Sequence, residues 1–128
     1  MKSYTSLSQS KKLAEFLPLE SADCYWEDDM SVEFGHGWHS QHIPCWSLAA
    51  LLNVLPDEVS TGEGYQNKYE IKIRRHYGGN NITLYQIAYG NNKGSSGSWH
   101  DIISTSEQEK FVDVCYEMIC WLKENNKL

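Results

Sequence analysis

Strong positive charge is the first thing this sequence lacks. Against 17 acidic residues it sets only 11 basic ones, for a formal net charge of −6. The bases are dispersed, with only Lys11-Lys12 and Arg74-Arg75 adjacent. That balance argues against a nucleic-acid-binding surface of the usual basic kind. Nor is the acidic run Glu27-Asp28-Asp29 dense enough to mimic nucleic acid. No stretch has the length and apolar purity of a membrane span. The opening Met1-Lys2-Ser3-Tyr4-Thr5 lacks the apolar core and cleavage site of a secretory signal. A cytoplasmic protein with free thiols is therefore expected. The four cysteines, Cys24, Cys45, Cys115 and Cys120, form no C-x-x-C pair and read as small buried hydrophobes. The glycine- and serine-rich residues 90–97 lack the G-x-x-x-x-G-K-[ST] order of a phosphate loop, so no cofactor is expected.

What the chain does have is enough length, 128 residues, for a single domain spanning 1–128 with one proper core. It is also rich in aromatics, with five Trp and eight Tyr. Its organising stretch is Ile43-Pro44-Cys45-Trp46-Ser47-Leu48-Ala49-Ala50-Leu51-Leu52-Asn53-Val54-Leu55-Pro56. Pro44 suits the first turn of a helix and Pro56 cannot continue one. Only Ser47 and Asn53 are polar between them, so the expectation is a central, buried helix over 45–55.

In chain order, Ser6 and Gln9 have capping-box spacing. Leu13, Phe16 and Leu17 then mark an amphipathic first helix ended by Pro18. Ala22, Cys24, Tyr25 and Trp26 suit a strand, with Ser31-Val32-Glu33-Phe34 as its return partner. Tyr69, Ile71 and Ile73 alternate with charged residues, as in a half-buried strand. Gly78-Gly79-Asn80-Asn81 tolerates the positive φ of a tight turn, and residues 82–89 form the second strand of this hairpin. A short strand over 99–103 and a last helix over 107–124 follow. Phe111, Cys115, Met118, Ile119 and Leu122 make the inward stripe of that helix, widened by Val112, Val114 and Trp121. The fold class expected is α+β: three helices packed on a three- or four-stranded antiparallel sheet.

Three separated stretches carry a resemblance. They are Thr5-Ser6-Leu7-Ser8-Gln9-Ser10-Lys11-Lys12-Leu13 with Ser21-Ala22-Asp23, then Ile43-Pro44-Cys45-Trp46-Ser47-Leu48-Ala49-Ala50-Leu51-Leu52, and finally Tyr116-Glu117-Met118-Ile119-Cys120-Trp121-Leu122-Lys123-Glu124-Asn125. Together they resemble a family of small uncharacterised proteins of Bacteroidales genomes, found in prophages and other mobile elements. The resemblance implies a compact α+β domain and supplies no catalytic residues.

Three constellations bear on function. Cys45-Trp46 at a helix start resembles the nucleophile of papain-like peptidases, where a helix N-terminus and a histidine stabilise the thiolate. His100 or His76 would be the base, with Asp101 orienting His100. The glycine-rich approach of those enzymes is missing, and a buried core cysteine is the preferred reading. His36, His39 and His42 recur every three residues in a loop and would suit zinc, but no second cluster completes a tetrahedral site. Among the aromatics of the β half (Trp26, Trp38, Tyr65, Tyr69, Tyr77, Tyr85, Tyr89 and Trp99), exposed members such as Trp38, Tyr85, Tyr89 and Trp99 would form a partner patch. The function expected is accordingly a non-enzymatic accessory or protein-interaction domain of a prophage or mobile element. A Cys–His hydrolase and a metal-binding module are the alternatives.

Overall fold

The computed structural model describes residues 3–29, 31–35, 41–61, 68–92 and 97–128. The chain is α+β, with three α-helices and two antiparallel sheets among the described residues. It divides into two compact units, Met1–Val54 and Leu55–Leu128.

In the first unit, helix α1 spans Leu7–Ala14. Ser6 caps it as the spacing predicts: the Ser6 hydroxyl accepts from Gln9 N at 3.2 Å, and the Gln9 side chain accepts from Ser6 N at 2.9 Å. A 3-10 turn, Leu19–Ser21, follows Pro18. Strands β1 (Cys24–Trp26), β2 (Val32–Phe34) and β3 (Ile43–Cys45) form a sheet in the order β2-β1-β3. The β1–β2 hairpin matches the expected one. β3 does not, because Pro44 and Cys45 lie in a strand instead of opening a helix. Cys24 pairs with Cys45 and Tyr25 with Pro44. Gly35 N donates to Asp23 O and Glu27 N to Ser31 O, so the odd-numbered residues of β1 turn their backbone groups toward β2. Cys24 and Trp26 therefore turn theirs toward β3. Pro44, opposite Tyr25, occupies a position where no N–H is required.

Helix α2 is correspondingly shorter than the expected 45–55, running Leu48–Val54. Ser47 starts it: its hydroxyl accepts from Ala50 N at 3.2 Å, the geometry of an N-cap. Nor is α2 buried all round. Ala50 and Leu51 are buried, whereas Ala49 and Asn53, one turn apart, are exposed. The core of this unit contains Leu13, Leu17, Ala22, Cys24, Cys45, Trp46, Ala50 and Leu51.

In the second unit, β4 (Glu58–Ser60), β5 (Lys68–Tyr77), β6 (Thr83–Asn91) and β7 (His100–Ser104) form a sheet in that order. The hairpin β5–β6 keeps unbroken register from Glu70↔Gly90 to Tyr77↔Thr83. Its turn places Gly79, Asn80 and Asn81 at positive φ, as their chemistry allows. At Gly90 the ladder to β7 shifts register. A Cβ there would collide with the His100 carbonyl and the Trp99 ring, so only glycine fits.

Helix α3, Phe111–Glu124, packs on β6. Val112, Val114, Cys115, Met118, Ile119 and Leu122 are buried as expected, and the Phe111 ring stacks on Tyr85 at 4.9 Å. The helix starts four residues later than its sequence suggests. Gln108 is held to the sheet instead, exchanging backbone hydrogen bonds with Tyr85 at 2.7 and 3.0 Å. The Thr105 hydroxyl is occupied by Ile87 N and cannot cap the helix.

Candidate functional site

The densest chemistry in the first unit surrounds the β1–β3 seam. Directly opposed residues of an antiparallel pair point to the same face, so Cys24 and Cys45 lie side by side. Both are free thiols and both are wholly buried. The Cys24 thiol donates to Asp23 Oδ1 at 3.5 Å. Cys45 Sγ is 3.6 Å from the Thr5 carbonyl and 3.6 Å from the Thr5 hydroxyl. The Thr5 hydroxyl contacts Ser10 Oγ at 2.7 Å, and Trp26 Nε1 donates to Ser10 Oγ at 3.1 Å. On the other side, the Asp23 carboxylate accepts from Ser47 N at 2.9 Å and from the Ser47 hydroxyl. Asp23 thus ties the end of β1 to the cap of α2. Among the described residues, no buried side-chain nitrogen or oxygen lacks a partner, as a polar network inside a core requires.

Within the pair the two thiols differ. The neighbouring Cys24 thiol draws Cys45 down to about 7; burial opposes this, while the Thr5 and Ser10 hydroxyls assist. Cys24 is pushed far up, first by the adjacent Cys45 and then by burial. The proton that leaves first therefore leaves from Cys45.

Cys45 does not hold the helix-start position expected of a papain-like nucleophile. Cys45 sits in a strand, three residues before α2, so the helix N-terminus does not support its thiolate. His76 and His100 belong to the second unit. His76 Nε2 is 3.1 Å from a Glu107 carboxylate oxygen. Asp101 does not serve His100, because neighbouring residues on β7 point to opposite faces. Its carboxylate instead accepts two hydrogen bonds from Arg74, at 2.7 and 2.8 Å, and another from Trp99 Nε1. The Arg74 guanidinium holds the Asp101 carboxyl below its ordinary range, against the effect of burial. Lys72 Nζ stands 4.6 Å from the centre of the Trp99 ring, a cation–π contact that adds a second cation beside the Arg74–Asp101 pair.

The expected partner patch is dispersed. Tyr89 is wholly buried, with its hydroxyl donating to the Pro56 carbonyl at 2.7 Å. Tyr85 is engaged with Phe111, and Trp99 is packed over Gly90 beside Asp101. Trp38 lies outside the described residues. Among the described residues of the second unit, the exposed large apolar side chains are instead Ile73, Tyr77, Ile102 and Leu128. Of the three histidines weighed for metal, His36 and His39 also lie outside the described residues. His42 stacks on Tyr25 at 4.7 Å. Among the described residues no cluster of three or more His, Cys, Asp or Glu is suited to a metal ion.

Sequence reasoning found Cys45 but missed its companions. Cys24, Asp23, Thr5 and Ser10 reach it from segments up to 40 residues away. The one available signal was polarity inside an apolar run, at Ser47, which turned out to be the cap bound by Asp23.

No protein-family model matches the chain, and no curated protein or solved structure is significantly similar to it.

Proposed function

We propose that the protein is a non-enzymatic accessory domain that binds another protein through the open edge of β5. The observation that carries this reading is the mismatch between β4 and β5. β4 pairs only with Lys68–Glu70, whereas β5 continues to Tyr77. Among the described residues no strand pairs with the outer edge of β5 beyond that point; Asp57 O alone accepts from Ile71 N. Gly78 N donates inward to Ile82 O, so the even-numbered residues of β5 face β6 and the backbone groups of Ile73, Arg75 and Tyr77 point outward. The side chains of Ile73 and Tyr77, 47% and 83% exposed, share one face beside this edge. An exposed edge flanked by apolar side chains is what an added strand recognises.

The negative net charge of the whole chain supports a protein partner over nucleic acid. Resemblance to the Bacteroidales family supports an association with prophages or other mobile elements. Among the described residues no helix is long and apolar enough to cross a membrane.

A photo-crosslinking residue at position 77, expressed in the producing cell, tests the reading. A discrete protein adduct is expected, and Arg75→Pro should abolish it. That substitution removes an outward N–H while leaving the bonds from β5 to β6 intact. No adduct at all, or one indifferent to Arg75→Pro, would sink the proposal. The non-enzymatic half is read by alkylation. Iodoacetamide should modify the partly exposed Cys120 in the folded protein and reach Cys45 only on unfolding. Rapid modification of native Cys45 at pH 6 would restore the hydrolase.

A further inference from the structure

We propose that Cys24 and Cys45 are a modification site: a pair that hydrogen peroxide closes reversibly into a disulfide, stapling the middle strand of the three-stranded sheet to β3. The register sets the two residues directly opposite each other as a hydrogen-bonded antiparallel pair. Such pairs hold their Cα atoms about 5.5 Å apart, within the separation that disulfides adopt. The side chains share a face. The two cysteines of the second unit do not offer this. Cys115 and Cys120 stand five residues apart on α3, pointing about 140° away from each other around the helix.

The chemistry is complete with peroxide as the oxidant. The Cys45 sulfur, the first of the two to lose its proton, attacks one peroxide oxygen. An S–O bond forms, the O–O bond breaks, and the departing hydroxide takes up a proton to leave as water. The Cys24 sulfur then attacks the sulfenic sulfur of Cys45. The S–S bond forms, the S–O bond breaks, and a second water departs with the Cys24 proton. The two thiols together lose two electrons, and the peroxide gains them.

Access comes from the shortness of the strands. β1 and β3 have three residues each. Brief opening of so short a seam admits a molecule scarcely larger than water while still excluding a bulkier alkylating agent.

The test treats the native wild-type chain with hydrogen peroxide, blocks free thiols under denaturing conditions, and maps peptides without reduction. The expected result is an intact mass lower by two hydrogens, a linked pair of peptides carrying Cys24 and Cys45, and full reversal by dithiothreitol. The oxidised protein should melt roughly 5–10 °C higher, since the staple restrains the unfolded chain. In Cys24→Ser the reaction should stop at the Cys45 sulfenic acid, trapped by dimedone added with denaturant. If that variant does not fold, the wild-type peptide map decides alone. Oxidation confined to Cys120, over-oxidation of Cys45 without a link, a link formed only after unfolding, or a lower melting temperature would each overturn the proposal. None of these outcomes bears on the β5 edge, so the two proposals fail separately.

Discussion

The two sheets are built on different principles. The four-stranded sheet rests on length and alternation. β5 and β6 run 10 and 9 residues in continuous register, and α3 presses an apolar stripe onto β6. The three-stranded sheet has strands of only three residues. Too short to be set by pattern, it is held by individual polar contacts: Asp23 to Ser47, Thr5 to Trp46 and Ser10, and Trp26 to Ser10. A patterned sheet distributes its stabilisation over many interchangeable apolar contacts. A sheet of short strands concentrates it in a few groups that are costly to leave unpaired. The first kind should respond to changes of volume and the second to changes of hydrogen bonding.

Truncating the patterned sheet should give the largest effect. Ile87→Ala in β6 or Ile119→Ala in α3 removes a wholly buried side chain and should cost about 2–5 kcal/mol in denaturant melts. Losses below about 1 kcal/mol would show that α3 and β6 are not the core of that unit.

Next comes the polar seam. Asp23→Ala leaves Ser47 N, the Ser47 hydroxyl and Cys24 without their acceptor, for an expected loss of about 2–3 kcal/mol. Asp23→Asn, which keeps one carbonyl oxygen, should recover part of it. A loss from Asp23→Ala no greater than that of an ordinary surface substitution would erase the contrast between the sheets.

Alkali should weaken both sheets through their buried acids. Cys115 is pushed up from its ordinary 9.0 to about 12 by burial, while Cys24 and Tyr89 are also raised. A raised folded-state pKa stabilises fully below the unfolded value and is lost as pH climbs past it. For Cys115 the window is pH 9 to about 12, and stability should fall by about 1.4 kcal/mol per pH unit there. Cys115→Ala should make that slope shallower, and an unchanged slope would remove Cys115 from the account.

The smallest effect is expected at the surface of the patterned sheet. Arg74 and Asp101 are paired with two hydrogen bonds, but their side chains remain 28% and 30% exposed. A double-mutant cycle should give a coupling of about 0.5–1 kcal/mol that weakens in high salt. A larger, salt-independent coupling would mean that this sheet also depends on polar pairing.

The same contrast governs what could be read from the chain. Alternation at Tyr69, Ile71 and Ile73, the glycine and asparagine turn, and the stripe of the last helix are local signals, and they placed β5, β6 and α3. The Ser6–Gln9 capping box was equally local. Three residues cannot show a period: β1 and β2 were legible from composition, through Cys24, Tyr25 and Trp26 and then Val32 and Phe34, whereas β3 and β4 were missed. Pro44-Cys45 then took the appearance of a helix start, since the Asp23 contact that delays the helix to Ser47 comes from 24 residues away. The candidate site was half legible for the same reason. Cys45 stood out beside Trp46, but its opposition to Cys24 exists only once β3 is paired.

Pro44 has a consequence for how that seam finds its alignment. In the observed pairing its missing N–H points away from β1, and nothing is lost. Sliding β3 by one residue in either direction would bring the proline to a position opposite Cys24 or Trp26, whose backbone groups both call for a partner. The same slide would turn the side chains of Ile43 and Cys45 to the wrong face. A three-residue strand has too few contacts to reject a wrong alignment by their sum. A single imino acid supplies the veto, making each misaligned pairing dissociate before it can be consolidated.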